Sequence, residues 1–142
     1  MFKKTFISKG NMTEDVIGKL RQYSNAIVTV AYFGDEGAKS DAVKKVVRRL
    51  TAVYLGDDFE RYRMNYSGVA GLLGSDGDGH MQALRNVHEG ESELVSLALS
   101  LSPDFGKIRD AAMDFSSRLD MVEAAAETMD LQMVESLSKK EK

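Results

Sequence analysis

The stretch that decides the fold covers residues 103–137 and reads PDFGKIRDAAMDFSSRLDMVEAAAETMDLQMVESL. It contains no glycine after Gly106 and no proline after Pro103, so nothing in it favours an interruption of a helix. A serine cap at Ser102, the proline at the first helical position and the acid Asp104 in the first turn predict where the helix begins. We therefore predict one long amphipathic helix from about residue 103 to about residue 137.

The apolar residues of this helix alternate spacings of four and three, which is a heptad pattern. They are Ile108, Ala112, Phe115, Leu119, Val122, Ala126, Met129 and Met133. In one interpretation, the helix is the longest member of a bundle and packs on the first three predicted helices of the chain, helices one to three. In the other, its distal half projects from about Val122 and pairs with a second copy or a partner. The predicted interface residues are Val122, Ala126, Met129, Met133 and Leu137.

The rest of the chain predicts an all-α, single-domain bundle of about six helices with this long C-terminal amphipathic helix. The run at residues 26–33 is β-branched enough for a buried strand, but the apolar spacing that leads into it favours a helix. Ser40 is a predicted cap of the second helix, and Gly90 is predicted to end a short helix that another helix follows. Residues 1–12 form an N-terminal segment, 13–121 the helical core, and 122–142 the distal helix and charged tail.

Composition restricts the class of protein. The hydrophobic share of 43% and the charged share of 29% are ordinary for a globular domain, and the lack of cysteine removes disulfides and thiolate metal sites. Neither a signal peptide nor a membrane span is evident, so we expect a cytoplasmic protein. Charge is uneven, because residues 1–66 hold 12 Lys/Arg and 8 Asp/Glu whereas residues 67–142 hold 7 and 14.

The densest set of metal-binding side chains is Asp76, Asp78 and His80, which alternate with glycine. It resembles the opening of an EF-hand calcium loop, but Met81 stands where glycine is needed and Val87 where a bidentate glutamate is needed. The alternative is a plain loop whose Asp78 caps the next helix. Because no complete catalytic motif is present either, we do not expect an enzyme.

A basic cluster on the second predicted helix is the candidate contact for phosphate or nucleic acid, and it consists of Lys44, Lys45, Arg48 and Arg49. Four cations within little more than one turn can contact phosphates. The net charge of −3 disfavours nucleic acid. A solvated face, or a docking site for the acidic half of a neighbouring molecule, explains the cluster better.

The order of the predicted helices resembles the tellurite-resistance TerB-like family, over residues 13 to about 121. Residues 31–37 (AYFGDEG) and 97–106 (LALSLSPDFG) match the two acidic turns of that family. The match departs from the pattern where Phe105 separates Asp104 from Gly106. The resemblance implies an all-helical fold of two similar halves. It also implies divalent-cation binding by Asp35, Glu36 and Asp104, and a scaffold role in bacterial or phage stress and membrane-associated complexes.

These observations leave three functional hypotheses. The first is a non-enzymatic interaction or scaffold module that self-associates through its C-terminal helix, or binds another protein, and needs no cofactor. The second is a TerB-like protein that responds to a divalent cation. The third is a phosphate or nucleic-acid binder that uses residues 40–54.

Overall fold

The described part of the chain is helical apart from short connections. A computed structural model describes residues 12–35, 37–74 and 78–140, and these ranges contain five helices and no strand. The helices are α1 (Met12–Phe33), α2 (Lys39–Tyr54), α3 (Asp57–Leu73), α4 (Asp78–Ala98) and α5 (Phe105–Lys140). The predicted all-α class is confirmed, and the run at residues 26–33 is helical as predicted. The count of six helices is wrong.

Gly90 explains the error in the helix count, because it lies inside α4 instead of ending a helix. The residue is buried where α4 touches α5. A Cβ atom at this position would lie 3.0 Å from Arg118 Cδ and 3.1 Å from Phe115 Cδ1. Glycine therefore allows the two helices to approach closely, and its helix-breaking tendency is overridden by the packing.

The starts of α2 and α5 differ from prediction by one and two residues. The helix α5 begins at Phe105, because the cap is Asp104: its Oδ1 accepts a hydrogen bond of 3.1 Å from the backbone N–H of Lys107. It ends at Lys140, three residues beyond the predicted end. The helix α2 begins at Lys39, which places Ser40 inside the helix and not at its cap.

The long helix α5 is the centre of the packing. It packs most extensively on α4 and α1 and to a smaller extent on α3, while α2 packs on α1 and α4. On the α1 side, the buried Ser24 hydroxyl donates a hydrogen bond of 2.6 Å to the Ala112 carbonyl. On the α4 side, Arg118 Nη1 donates one of 2.7 Å to the Asn86 carbonyl. Both pairings run antiparallel, so α5 lies in the cleft between its two neighbours.

The heptad face of α5 is buried within this chain as far as Met129. The interpretation in which the helix is a member of the bundle therefore holds for this part, although the partners are mainly α4 and α1. Val122, Ala126 and Met129 are buried in the core of the same molecule, so they do not form the exposed interface that was predicted. Met133 is half-buried and Leu137 is exposed.

An aromatic cluster joins α3 to the start of α4. Phe59, Tyr62 and Tyr66 are buried, as their helical spacing indicates, and His80 is buried among them with only 1% of its surface exposed. The His80 ring stacks on Tyr66 at 4.5 Å between centroids, and its Nε2 lies 3.3 Å from the Tyr62 hydroxyl. Burial lowers the pKa of His80 to about 4, so the imidazole is neutral near pH 7.

We predict that Gly90→Ala destabilises the fold by about 1 kcal/mol. A methyl group there would press on Phe115, which is fully buried and cannot move aside, and overpacking outweighs the gain in helix propensity. Gly68→Ala is the matched control, because a Cβ atom at Gly68 meets nothing within 4 Å. That change should stabilise the fold by up to about 1 kcal/mol. Urea denaturation measures both, and equal gains would contradict the packing argument.

We also predict a specific dependence of stability on pH. The unfolded pKa of a histidine is about 6.5, whereas that of folded His80 is about 4, so protons bind the unfolded chain more tightly. The stability present above pH 6.5 should therefore fall by about 3 kcal/mol as the pH drops to about 4. Urea denaturation across this range should show a shallower pH dependence for His80→Phe. Identical slopes for the wild type and His80→Phe would refute the assignment.

Candidate functional site

The residues predicted to bind a metal do not come together in the described part of the chain. Asp35 is exposed after α1, Asp104 caps α5, Asp78 is the first residue of α4, and His80 is buried in the aromatic cluster. The two other predicted ligands, Glu36 and Asp76, lie outside the described residues. Within those residues, no group of three or more histidine, aspartate or glutamate side chains could hold a metal ion.

The predicted basic cluster divides between two faces of α2. The Thr51 hydroxyl donates a hydrogen bond of 2.8 Å to the Glu91 carboxylate, which places Thr51 on the side of α2 that faces α4. Lys44 and Arg48 precede Thr51 by seven and three residues and therefore share that side.

The other two cations, Lys45 and Arg49, lie further round the helix, and both are exposed, as Arg48 also is. No ion pair joins any of the four cations of the cluster to another described residue. The cluster therefore offers two cations beside α4 and two on the outer surface of α2.

A groove opens where the end of α2 meets α3 and the first half of α4. It has a volume of about 600 Å³. Its apolar lining consists of Leu55, Phe59, Met81 and Leu84. Leu55 is 74% exposed, which is unusual for a residue that borders an apolar depression. Shape and lining suit the apolar side of a partner segment.

A tyrosine–histidine pair forms one wall of this groove. The Tyr54 hydroxyl lies 2.8 Å from His88 Nδ1, and the two rings stack with centroids 6.0 Å apart. Burial, together with the carboxylate of Glu91 and against the opposing charge of Arg63, raises the pKa of Tyr54, so its hydroxyl stays protonated. The pair connects α2 to α4. It adds polar hydroxyl and imidazole groups to a wall of the groove that is otherwise apolar.

The charged side chains around the groove differ in whether they already have partners. Arg63 pairs with Glu60 on its own helix, and Glu89 lies 3.7 Å from the Arg118 guanidinium of α5. Arg85 contacts only the neutral Gln82 side chain among the described residues, at 3.0 Å. Arg85 is therefore the lining charge that has no ion pair with a described residue. Lys44 and Arg48 lie further back along α2, on the side where the buried Glu91 carboxylate accepts the hydrogen bond from Thr51.

The distal part of α5 carries apolar residues on a second face. Leu131 and Val134 on that face are 65% and 45% exposed, and Leu137, which continues the heptad face four residues after Met133, is 42% exposed. Glu127 precedes Leu131 by one turn and Glu135 follows Val134, and both glutamates are exposed. The heptad pattern predicts only Leu137 of these three residues, because Leu131 and Val134 lie off the heptad positions.

The sequence did not predict the groove, because its lining comes from three helices and no local motif indicates it. A weak signal was present in Leu55, an apolar residue next to the glycine that separates α2 from α3. Such a residue is ordinarily exposed without consequence. Only the packing of α3 and α4 beside it makes a lined depression.

Comparison with protein-family models, with curated proteins and with solved structures gave no significant match. The resemblance to the TerB-like family therefore stays a prediction. Among the described helices, none is long and apolar enough to cross a membrane. The physical evidence for function accordingly rests on the groove, the cations beside it and the exposed face of α5.

Proposed function

We propose that the protein is a non-enzymatic helical interaction module that self-associates through the distal part of α5. The observation that carries this proposal is the exposure of Leu131, Val134 and Leu137 on a helix whose inward face is already filled by the core of the same chain. Neighbouring exposed apolar residues on one helix are typical of surfaces that bind another protein.

The charge of α5 supports a distal contact. In the first half of the helix the acids have partners: Arg21 of α1 binds both Asp120 and Glu123 at 2.6 Å, and Asp114 pairs with Arg118 at 2.6 Å. Further along, Glu127 and Glu135 form no ion pair with another described residue. The exposed apolar residues therefore lie beside carboxylates that are available to a partner.

The two alternative functions have weaker support. A response to a divalent cation lacks a cluster of donors among the described residues. Its candidates Asp35, Asp78 and Asp104 lie at the ends of different helices. Binding of phosphate or nucleic acid is supported by the unpaired cations of α2, of which Lys45 and Arg49 point outwards. An acidic chain gives this second alternative no long-range attraction.

We expect the wild-type protein to sediment as a dimer or larger species whose population rises with concentration. Replacing two apolar side chains in Leu131→Gln/Val134→Gln should weaken self-association roughly thirtyfold, because about 2 kcal/mol of apolar burial is lost. Glutamine is chosen because it preserves helix propensity and adds no charge. Sedimentation velocity over a concentration series measures the change.

Met113→Gln is the matched control for this experiment. Met113 is 54% exposed and precedes Leu131 by eighteen residues, which is five full turns, so both residues lie on the same side of α5. The control should associate like the wild type. A wild-type protein that stays monomeric at every concentration would refute self-association, and equal effects of the two variants would refute the distal location.

A further inference from the structure

The groove formed by α2, α3 and α4 matches the exposed distal face of α5 in both polarity and charge. The apolar lining of the groove comes from Leu55, Phe59, Met81 and Leu84. The exposed apolar residues of α5 that could contact this lining are Leu131 and Val134. A groove with such a lining is the usual acceptor for one face of an amphipathic helix. The same chain therefore carries both halves of a helix-in-groove contact.

The charges that lack partners have opposite signs on the two surfaces. Arg85 lines the groove, and Arg48 precedes the groove residue Leu55 by seven residues, about two turns along one side of α2. Neither arginine forms an ion pair with a described residue, and neither do Glu127 and Glu135, which flank the apolar residues of α5. By contrast, the other charged residues that line the groove, Glu60, Arg63 and Glu89, already have ion-pair partners within the chain. Complementary unpaired charges at two surfaces favour their association and set its register.

The dimensions of the two surfaces also agree. From Glu127 to Val134 the helix rises by about 10 Å, and the distance along α2 from Arg48 to Leu55 is the same. An acidic residue one or two turns from the apolar pair can thus reach a cation while the apolar pair covers the lining.

We propose that the groove formed by α2, α3 and α4 is the acceptor for the distal part of α5 from a second copy of this chain. This inference rests on the proposed function, because it specifies which surface receives the self-associating helix. The donor must be another molecule, since α5 is continuous from Phe105 to Lys140 and cannot fold back onto its own groove. Reciprocal exchange between two copies would close a twofold dimer, because each copy donates one helix and offers one groove.

Cysteine cross-linking tests the contact directly, because the wild-type chain has no cysteine. A Leu55→Cys protein is mixed with an isotopically labelled Leu131→Cys protein under mild oxidation. The expected product is a disulfide-linked heterodimer, identified by its mass, that exceeds the two homodimers at least tenfold. Leu72→Cys replaces Leu55→Cys in the control mixture, because Leu72 is 75% exposed against 74% for Leu55 but lies at the other end of α3. Equal heterodimer yields from the two mixtures would overturn the proposal.

Charge reversal provides an independent test on the full chain. Arg48→Glu/Arg85→Glu should weaken self-association about tenfold, because two favourable charge pairs become repulsive. Glu127→Lys/Glu135→Lys should have the same effect alone, and a mixture of the two variants should associate at least as tightly as the wild type. Lys45→Glu/Arg49→Glu is the matched control on the outer face of α2 and should change little.

The outcomes separate this inference from the proposed function. A wild-type protein that is monomeric would refute both the proposed self-association and the proposed acceptor groove. If Leu131→Gln/Val134→Gln prevents self-association while Arg48→Glu/Arg85→Glu leaves it unchanged, self-association stands and the groove is excluded as the acceptor. A groove that serves an acidic helix of another protein would give that second result.

Discussion

The close contact between α5 and its two neighbours is the constraint on which the rest of the structure depends. At Gly90 the absence of a side chain brings α4 against Phe115, and on the other side small residues bring α1 close enough for Ser24 to reach the Ala112 carbonyl. Both contacts remove solvent from the same face of α5. The helices α2 and α3 pack against these three helices and complete the bundle. The hydrogen bond between Thr51 and Glu91 connects α2 to α4.

Burial of one face of α5 determines what its other faces can do. The inward side chains of α5 fill the core. Its proximal carboxylates pair with Arg21 of α1 and with Arg118, which contacts α4, and these ion pairs orient the two neighbouring helices. Exposed ion pairs of this kind contribute little to stability individually, but they specify orientation. Beyond Asp130 the helix continues with exposed apolar residues such as Leu131. Because these side chains bury little surface within the chain, they add little to its stability.

Much of the fold follows from local patterns, because those patterns reflect what a helix can bury. The four-three spacing from Ile108 to Met129 predicted the buried face of α5, and the spacing of Phe59, Tyr62 and Tyr66 predicted a core position for all three. Caps were less predictable, since Ser102 and Asp104 are both good caps and only the geometry of the turn selects Asp104. Gly90 shows the limit of composition: its role depends on Phe115, which is distant in sequence.

The candidate site was harder to predict than the fold, because it depends on which helices become neighbours. In sequence, Lys44, Lys45, Arg48 and Arg49 form one cluster, whereas the contact of Thr51 with Glu91 assigns two of them to the side of α2 that faces α4 and two to the outer surface. A cation gains functional significance from the apolar lining beside it, since a charge near a poorly hydrated surface is screened less than one that is surrounded by water. Arg48 lies about two turns before the groove residue Leu55 on one side of α2, whereas Lys45 and Arg49 lie further round the helix. Two pairs of residues with the same composition therefore differ in what they can recognise, for a reason that only the tertiary structure supplies.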